Sequence, residues 1–229
     1  MRITIRNILC ISVISAMCMT LSGCAKPTTT SDNAAKIIDT PPIQQRIFVL
    51  GDSLSAWYRL PYEDSYPAQL ESLLIAQGYS IKVINWGESW DTSEWLKARI
   101  QWITAEAQTW DVALIVIGGN DGLQWLSTEQ LKSNITEITQ WLQARGIRTV
   151  IWGMQIPTNL WDTYRNDFMK LYPDVASATN AILIPFILSG VGWVPSLNLE
   201  DGIHPNAAGQ KIVAQTVQQT LIANNLLIK

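Results

Sequence analysis

From Arg46 onward the chain alternates short apolar runs with longer stretches whose apolar positions recur every three or four residues. The short runs predict five strands: Ile47–Leu50, Ile81–Asn85, Val112–Ile117, Thr149–Met154 and Ala181–Phe186. Val112–Ile117 is apolar at every position, the pattern of a strand covered on both faces. The longer stretches predict helices. Over Ser65–Gln77, Pro67 suits the first turn, Leu70, Leu73 and Leu74 share a face, and Gly78 provides a stop. Ser93–Ala107 carries Trp95, Ile100 and Ile103. Ser127 to Gln130 fits a capping box that opens a helix to Ala144, with Leu131, Ile135, Ile138 and Leu142 on one side and Gly146 beyond its end. Trp161–Leu171 reads as helical, and Asn206 caps a last helix that reaches Asn225. Strands alternating with helices predict an α/β domain, a parallel sheet between two helical layers. In such sheets ligands bind past the carboxyl ends of the strands.

The first 45 residues follow a different pattern. Arg2 and Arg6 precede Ile8–Leu21, 14 residues without a charge. A bilayer-spanning helix needs about 20 apolar residues, so this run fits the apolar region of a secretory signal over residues 1–23. Leu21-Ser22-Gly23-Cys24 resembles the lipobox of bacterial lipoproteins, in which the signal is cut before a cysteine that becomes acylated. Residues 24–45, rich in Thr, Pro and polar side chains, then read as a tether, and residues 46–229 as one domain. Cys10 and Cys18 leave with the signal, so Cys24 is the one cysteine of the mature chain. Internal disulfides are thereby excluded, and a lipid on Cys24 accounts for the residue. The resemblance implies a lipid-anchored protein of the bacterial cell envelope. Ala25, where an aspartate would favour the inner membrane, points to the outer one.

Composition narrows the function classes. Charged residues are 15% of the 229, against about 25% in ordinary domains, and the formal net charge is −3. With the signal removed, 14 basic residues face 19 acidic ones. Such a surface argues against nucleic acid as partner. Eleven tryptophans bring large apolar area and as many N–H groups, which suggests a large core or an aromatic-lined cleft.

Four polar clusters follow predicted strands or precede the last helix: Gly51-Asp52-Ser53-Leu54-Ser55, Asn85-Trp86-Gly87-Glu88-Ser89-Trp90-Asp91-Thr92, Gly118-Gly119-Asn120-Asp121-Gly122 and Asp201-Gly202-Ile203-His204-Pro205. A serine hydroxyl needs a base before it attacks. The chain holds one histidine, so a Ser–His mechanism has one candidate base, His204, with Ser53 as nucleophile. Asp201, three residues upstream, can reach the imidazole through a tight turn and hold its tautomer. The Ser53 N–H, read as the start of a helix, and the Asn120 amide are candidate oxyanion donors. Asp52 reads as a structural residue at that helix start.

These blocks resemble the SGNH (GDSL) hydrolases, in particular the bacterial arylesterase, thioesterase I and lysophospholipase branch. The first, third and last clusters match that branch's blocks in order, and Met154-Gln155-Ile156 and Tyr172-Pro173 also match. The resemblance runs from Arg46 to the C-terminus. It implies a three-layer α/β/α flavodoxin-like fold with a five-stranded sheet, Ser53 as nucleophile, His204 as base, Asp201 as its partner, and no metal or cofactor. The Gly-x-Ser-x-Gly elbow of α/β-hydrolases is absent, because Ser55 stands where that motif needs glycine.

One departure concerns the second block. Its family form, Asn-x-x-x-x-Gly-Asp-Thr-Ser, places a glycine N–H in the oxyanion hole, and aligning Asn85 and Asp91-Thr92-Ser93 puts Trp90 there. Two arrangements are open: Trp90 offers its backbone N–H, or the loop is reshaped so that Gly87 serves or the donor is lost. Tryptophan meets a steric cost at positive φ that glycine does not. Trp86, Trp90 and Trp125 lie in or near the matched loops and are candidate walls for an acyl, aryl or sugar group.

The expectation is a monomeric, lipid-anchored serine esterase acting on lipid, aryl or small acyl esters or thioesters through an acyl-enzyme. The alternative is an SGNH-fold lipoprotein that binds without turnover, the reading Trp90 favours.

Overall fold

The computed structural model describes residues 43–109, 111–156 and 162–229. The signal, Cys24, most of the tether and Trp161 lie outside the described residues, which fall within one contact unit, Thr40–Lys229. Five strands, β1 (Gln45–Gly51), β2 (Ile81–Gly87), β3 (Val112–Val116), β4 (Arg148–Trp152) and β5 (Ile182–Ile184), form one sheet in the order β2-β1-β3-β4-β5. All four pairings are parallel. Six α-helices accompany them: α1 (Tyr66–Ala76), α2 (Ser93–Ile103), α3 (Gly119–Leu123), α4 (Thr128–Gln143), α5 (Asp162–Thr179) and α6 (Ala207–Ala223). This is the flavodoxin-like α/β/α arrangement.

Right-handed crossovers put α1, which leads back from β1 to β2, on one face, and the helices leading onward from β2 to β5 on the other. The packing agrees: α1 packs with α6, and α4 packs with α2 and α5. The strand order reverses between β1 and β3, so their carboxyl ends diverge and leave a crevice. Gly51, next to Val116 in register, stands at its edge.

The apolar pattern predicts these elements because burial decides them. All five residues of β3 are buried, each Val, Leu or Ile contributing about 1.5–3 kcal/mol relative to exposure. Caps set the helix starts. Ser65 Oγ accepts from Ala68 N–H at 3.4 Å, Ser127 Oγ from Gln130 N–H at 3.2 Å, and Asn206 Oδ1 from Ala208 and Gly209 N–H at 3.0 and 3.1 Å. The capping box at Ser127 is half made, since the Gln130 side chain turns to Asn134 instead.

Several boundaries differ from the sequence pattern: β2 runs on to Gly87, β3, β4 and β5 end early at Val116, Trp152 and Ile184, and three further differences have a visible cause. β1 begins two residues earlier, at Gln45, whose amide reaches Leu226 O at 2.8 Å. Helix α2 stops at Ile103, where Thr104 Oγ1 bonds back to Ile100 O at 2.7 Å. Helix α5 continues through Pro173 to Thr179, because Val175 and Ala176 are buried beyond the proline and their packing outweighs its missing N–H.

Candidate active site

The turn that carries Ser53 is folded by a glycine and three short hydrogen bonds. Asp52 N–H donates to Val116 O at 3.3 Å, and Ser55 and Ala56 N–H both donate to Asp52 O at 3.0 Å. A Cβ at Gly51 would lie 2.6 Å from Ser55 Oγ and 2.7 Å from Val116 O. Only glycine lets the chain fold this closely against β3. Residues 53–59 are successive turns, so the helix expected at Ser53 does not form there; a single 3-10 turn follows at Tyr62–Asp64, and the first α-helix begins at Tyr66. Turn hydrogen bonds, not a helix terminus, orient the Ser53 amide.

His204 arrives from the other end of the chain. The loop before α6 is closed by Leu199 N–H to His204 O at 2.8 Å and Gly202 N–H to Leu199 O at 2.9 Å. Gly202 turns with φ 73°. Within it, Asp201 Oδ1 accepts from Ile203 and His204 N–H at 3.1 and 3.0 Å, which leaves Oδ2 3.0 Å from His204 Nδ1. On the far side of the ring Nε2 lies 2.8 Å from Ser53 Oγ. With Nδ1–H donated to the carboxylate, Nε2 is the acceptor for the hydroxyl proton. Burial pushes the Asp201 carboxyl up, but the two backbone N–H groups and the imidazole outweigh it and hold the group below the ordinary aspartate value. It therefore stays ionised, as a partner for an imidazolium must.

Three residues around Ser53 carry candidate donors. Among the described residues, neither Ser53 N–H nor Trp90 N–H has a protein acceptor. Asn120 spends one amide hydrogen on Asp91 O at 2.8 Å and has a second to offer. All three residues line the cleft with His204. Of the two arrangements open for the second block, the geometry favours Trp90. The Gly87 N–H is engaged by Asn85 Oδ1 at 2.9 Å, and a Cβ there would lie 2.6 Å from Ser55 Cβ. Gly87 is thus a packing glycine. Trp90 takes φ 72°, the backbone that favours glycine. Such strain persists only where the surroundings over-determine it. Here Glu88 N–H bonds Gly51 O at 2.9 Å, Arg99 Nε holds Asp91 Oδ2 at 2.8 Å, and the other Arg99 amine holds Trp86 O at 2.7 Å. Asp121 fixes the start of α2 through Ser93 N–H at 2.9 Å and Ser93 Oγ at 2.6 Å.

The cleft encloses about 140 Å³. Its walls are mostly apolar: Leu54, Leu123, Ile156, Phe186, Ile187 and Leu188. Of the three tryptophans proposed for it, only Trp90 lines it. Trp86 turns away to pack edge-on against Trp102, ring centres 5.9 Å apart, and Trp125 packs against Tyr164 at 5.1 Å. Tertiary packing decides which way an indole points, so the pattern of residues alone does not place these two. Sequence reasoning also missed Tyr58, whose ring lies 4.5 Å from the imidazole, and Arg99, the clamp of the Trp90 loop. The signal for Arg99 was a lone arginine two turns after Asp91. Asp52 is buried within the cleft floor. Loss of water raises its pKa, Leu54 N–H lowers it, and the charges of Asp121 and Asp91 raise it further, to about 7. Among the described residues no three His, Cys, Asp or Glu gather as metal ligands.

Comparison with known proteins agrees with this layout. The model of the GDSL-like lipase/acylhydrolase family matches residues 49–212. The chain is 36% identical over 203 residues to esterase TesA of Pseudomonas aeruginosa, a match covering 88% of this chain and 96% of that one. It is 33% identical over 178 residues to an arylesterase of Vibrio mimicus, covering 78% and 88%. Among solved structures, that of TesA superposes with a TM-score of 0.74 at 35% identity, covering 80% of this chain and all of that one. The psychrotrophic esterase EstA of Pseudoalteromonas, inhibited by monoethylphosphonate, also gives 0.74, at 26% identity over 79% and 98%. A strand order that opens a crevice at Ser53, the motifs in register and relatives matched along nearly their full length lead to one conclusion: the chain belongs to the GDSL-like lipase/acylhydrolase family, the SGNH carboxylic ester hydrolases.

Proposed function

We propose that the protein hydrolyses carboxylic esters and thioesters with Ser53 as nucleophile, His204 as base and Asp201 as its orienting partner. The observation that carries this reading is the hydrogen-bonded chain from Ser53 Oγ to Nε2 (2.8 Å) and from Nδ1 to Asp201 Oδ2 (3.0 Å). As Oγ bonds to the carbonyl carbon, its proton passes to Nε2, and the carbonyl oxygen becomes an oxyanion held by Ser53 N–H, Trp90 N–H and the Asn120 amide. Collapse expels the alcohol or thiol, which takes the proton from Nε2, and leaves the acyl group on Oγ. Water then attacks, giving its proton to His204, and the carboxylic acid leaves as Oγ is reprotonated. Asp201 stabilises the imidazolium in both halves. Each oxyanion donor contributes on the order of 3 kcal/mol.

The apolar walls suit an acyl chain or aryl group, and Trp90 stands at the mouth, three-quarters exposed. The reading as a binding module rests on Trp90 misplacing a donor; its φ of 72° supports a placed donor instead. The lipobox supports a lipid anchor at Cys24 and a place in the envelope. Replacing Cys24 with serine would then release the protein from the membrane fraction. The direct test of the chemistry is hydrolysis of p-nitrophenyl esters over a range of acyl lengths by the wild type and Ser53→Ala. A fall of at least about a thousandfold is expected, and equal rates would refute the mechanism.

A further inference from the structure

Seven described residues other than glycine adopt positive φ, and four of them are tryptophans: Trp57 (46°), Trp90 (72°), Trp125 (57°) and Trp193 (61°). A bulky residue in this region is an outlier, and such strain gathers at functional surfaces. Each follows a different strand. Trp57 lies in the loop after β1, Trp90 in the loop after β2, Trp125 between α3 and α4 after β3, and Trp193 between β5 and α6. Because all strands are parallel, the four loops share one edge of the sheet, the edge that bears the cleft. All four indoles are exposed, at 39, 74, 47 and 56%. Three are held by a neighbouring ring: Trp57 by Tyr62 at 5.3 Å, Trp125 by Tyr164 at 5.1 Å, and Trp193 stacked at 5.5 Å on Phe186 of the cleft wall. Leu123 and Ile203, on the cleft's rim, are exposed too.

We propose that this tryptophan-bearing edge docks on the zwitterionic surface of a phospholipid bilayer and presents the cleft to esters lying in it. The proposal rests on the hydrolase reading for what enters the cleft, but not for the docking itself. Indoles favour the headgroup layer, where the ring is buried and the N–H stays wet. Charge excludes an anionic attraction, since the exposed ionic groups of these loops are Arg59 against Glu63, Glu88, Glu200 and Asp201. A second copy of the chain seated here would close the cleft to substrate, whereas a bilayer supplies it. The 22 residues from Cys24 to Gln45 can extend to roughly 70 Å, so an acyl anchor at Cys24 leaves this edge free to face the membrane.

The test uses the full chain carrying Cys24→Ser, so that binding reports the domain and not an acyl group. Phosphatidylcholine vesicles should co-sediment the protein equally at about 0.1 and about 1 M salt, and phosphatidylcholine brominated on its acyl chains should quench the tryptophan emission. Adding Trp125→Ser and Trp193→Ser should weaken partition by roughly tenfold or more while hydrolysis of a soluble acetyl ester persists. Ile75→Ser with Ile222→Ser, exposed apolar positions in the last turns of α1 and α6, should leave partition unchanged. No vesicle binding, binding released by salt, self-association in its place, or tryptophan variants that bind like the parent would overturn the proposal. Should the double variant fail to fold, quenching of the parent decides, and its absence refutes. Ser53→Ala in the same background should bind vesicles fully. A Cys24→Ser parent with intact Ser53 that binds vesicles but hydrolyses no ester would sink the hydrolase reading alone.

Discussion

Asp52 provides a test of the buried polar floor beneath the nucleophile. Its carboxyl is 2% exposed and accepts Leu54 N–H at 3.0 Å. In the unfolded chain it titrates near 3.8; in the fold, burial first and then the charges of Asp121 and Asp91 bring it to about 7, against the pull of Leu54 N–H. Between these values the folded protein binds a proton that the unfolded chain does not. Stability from this group is therefore fully present below about pH 4 and is lost as the pH rises through 7. A change of about three in pKa, at about 1.4 kcal/mol for each, amounts to on the order of 4 kcal/mol. Asp52→Asn keeps an oxygen for Leu54 N–H and cannot ionise. Urea unfolding at about pH 4 should show the two proteins within about 1 kcal/mol of each other, because the wild-type group is then neutral in the fold and still partly protonated in the unfolded chain. At about pH 8.5 the variant should be relatively more stable by a few kcal/mol, up to about 4. A stability difference that is the same at both pH values would refute the argument.

Asp201→Asn should lower kcat on a p-nitrophenyl ester by roughly a hundred- to ten-thousandfold with little change in KM, since the amide no longer fixes Nδ1–H or balances the imidazolium; a loss confined to KM would contradict this. Trp90→Gly keeps the N–H and removes the indole at the mouth, so the acetyl ester rate should stay within about threefold while the preferred acyl chain lengthens. An unchanged chain-length profile in steady-state assays would count against Trp90 as a cleft wall. Gly87→Ala puts a methyl 2.6 Å from Ser55 Cβ and 2.8 Å from Ala56 N. Overpacking of about 1–3 kcal/mol should lower Tm by several degrees in calorimetry, and a Tm equal to wild type would show that the turn yields freely.

Much of the fold is legible because its signals are local. β3 announces itself by five consecutive buried apolar residues, and α4 by a cap at Ser127 and a stripe from Leu131 to Leu142. The sheet order that opens the crevice between β1 and β3 is not in that pattern and is implied only by the family resemblance. The juxtaposition of Ser53 and His204, 151 residues apart, is legible only because the chain has one histidine and matched motifs. What is not legible depends on tertiary packing. No apolar period announces α3, which forms over Gly119–Leu123 with Asp121 satisfied by Ser93 from another loop. The helical pattern of α5 reaches only Leu171, yet burial of Val175 and Ala176 carries the helix through Pro173. The left-handed backbone of Trp90 is set by Arg99, Asn120 and Glu88 together, a conflict between residue type and conformation that no local pattern predicts.

The proposed mechanism requires that His204 activate the Ser53 hydroxyl. A fluorophosphonate probe measures this directly, because an activated serine displaces fluoride and forms a stable phosphonyl ester. Intact mass and peptide mapping should find one adduct, on Ser53, absent from Ser53→Ala and formed at least about a hundredfold more slowly in His204→Ala. An unlabelled protein, an adduct on another residue, or labelling of His204→Ala at the wild-type rate would contradict it.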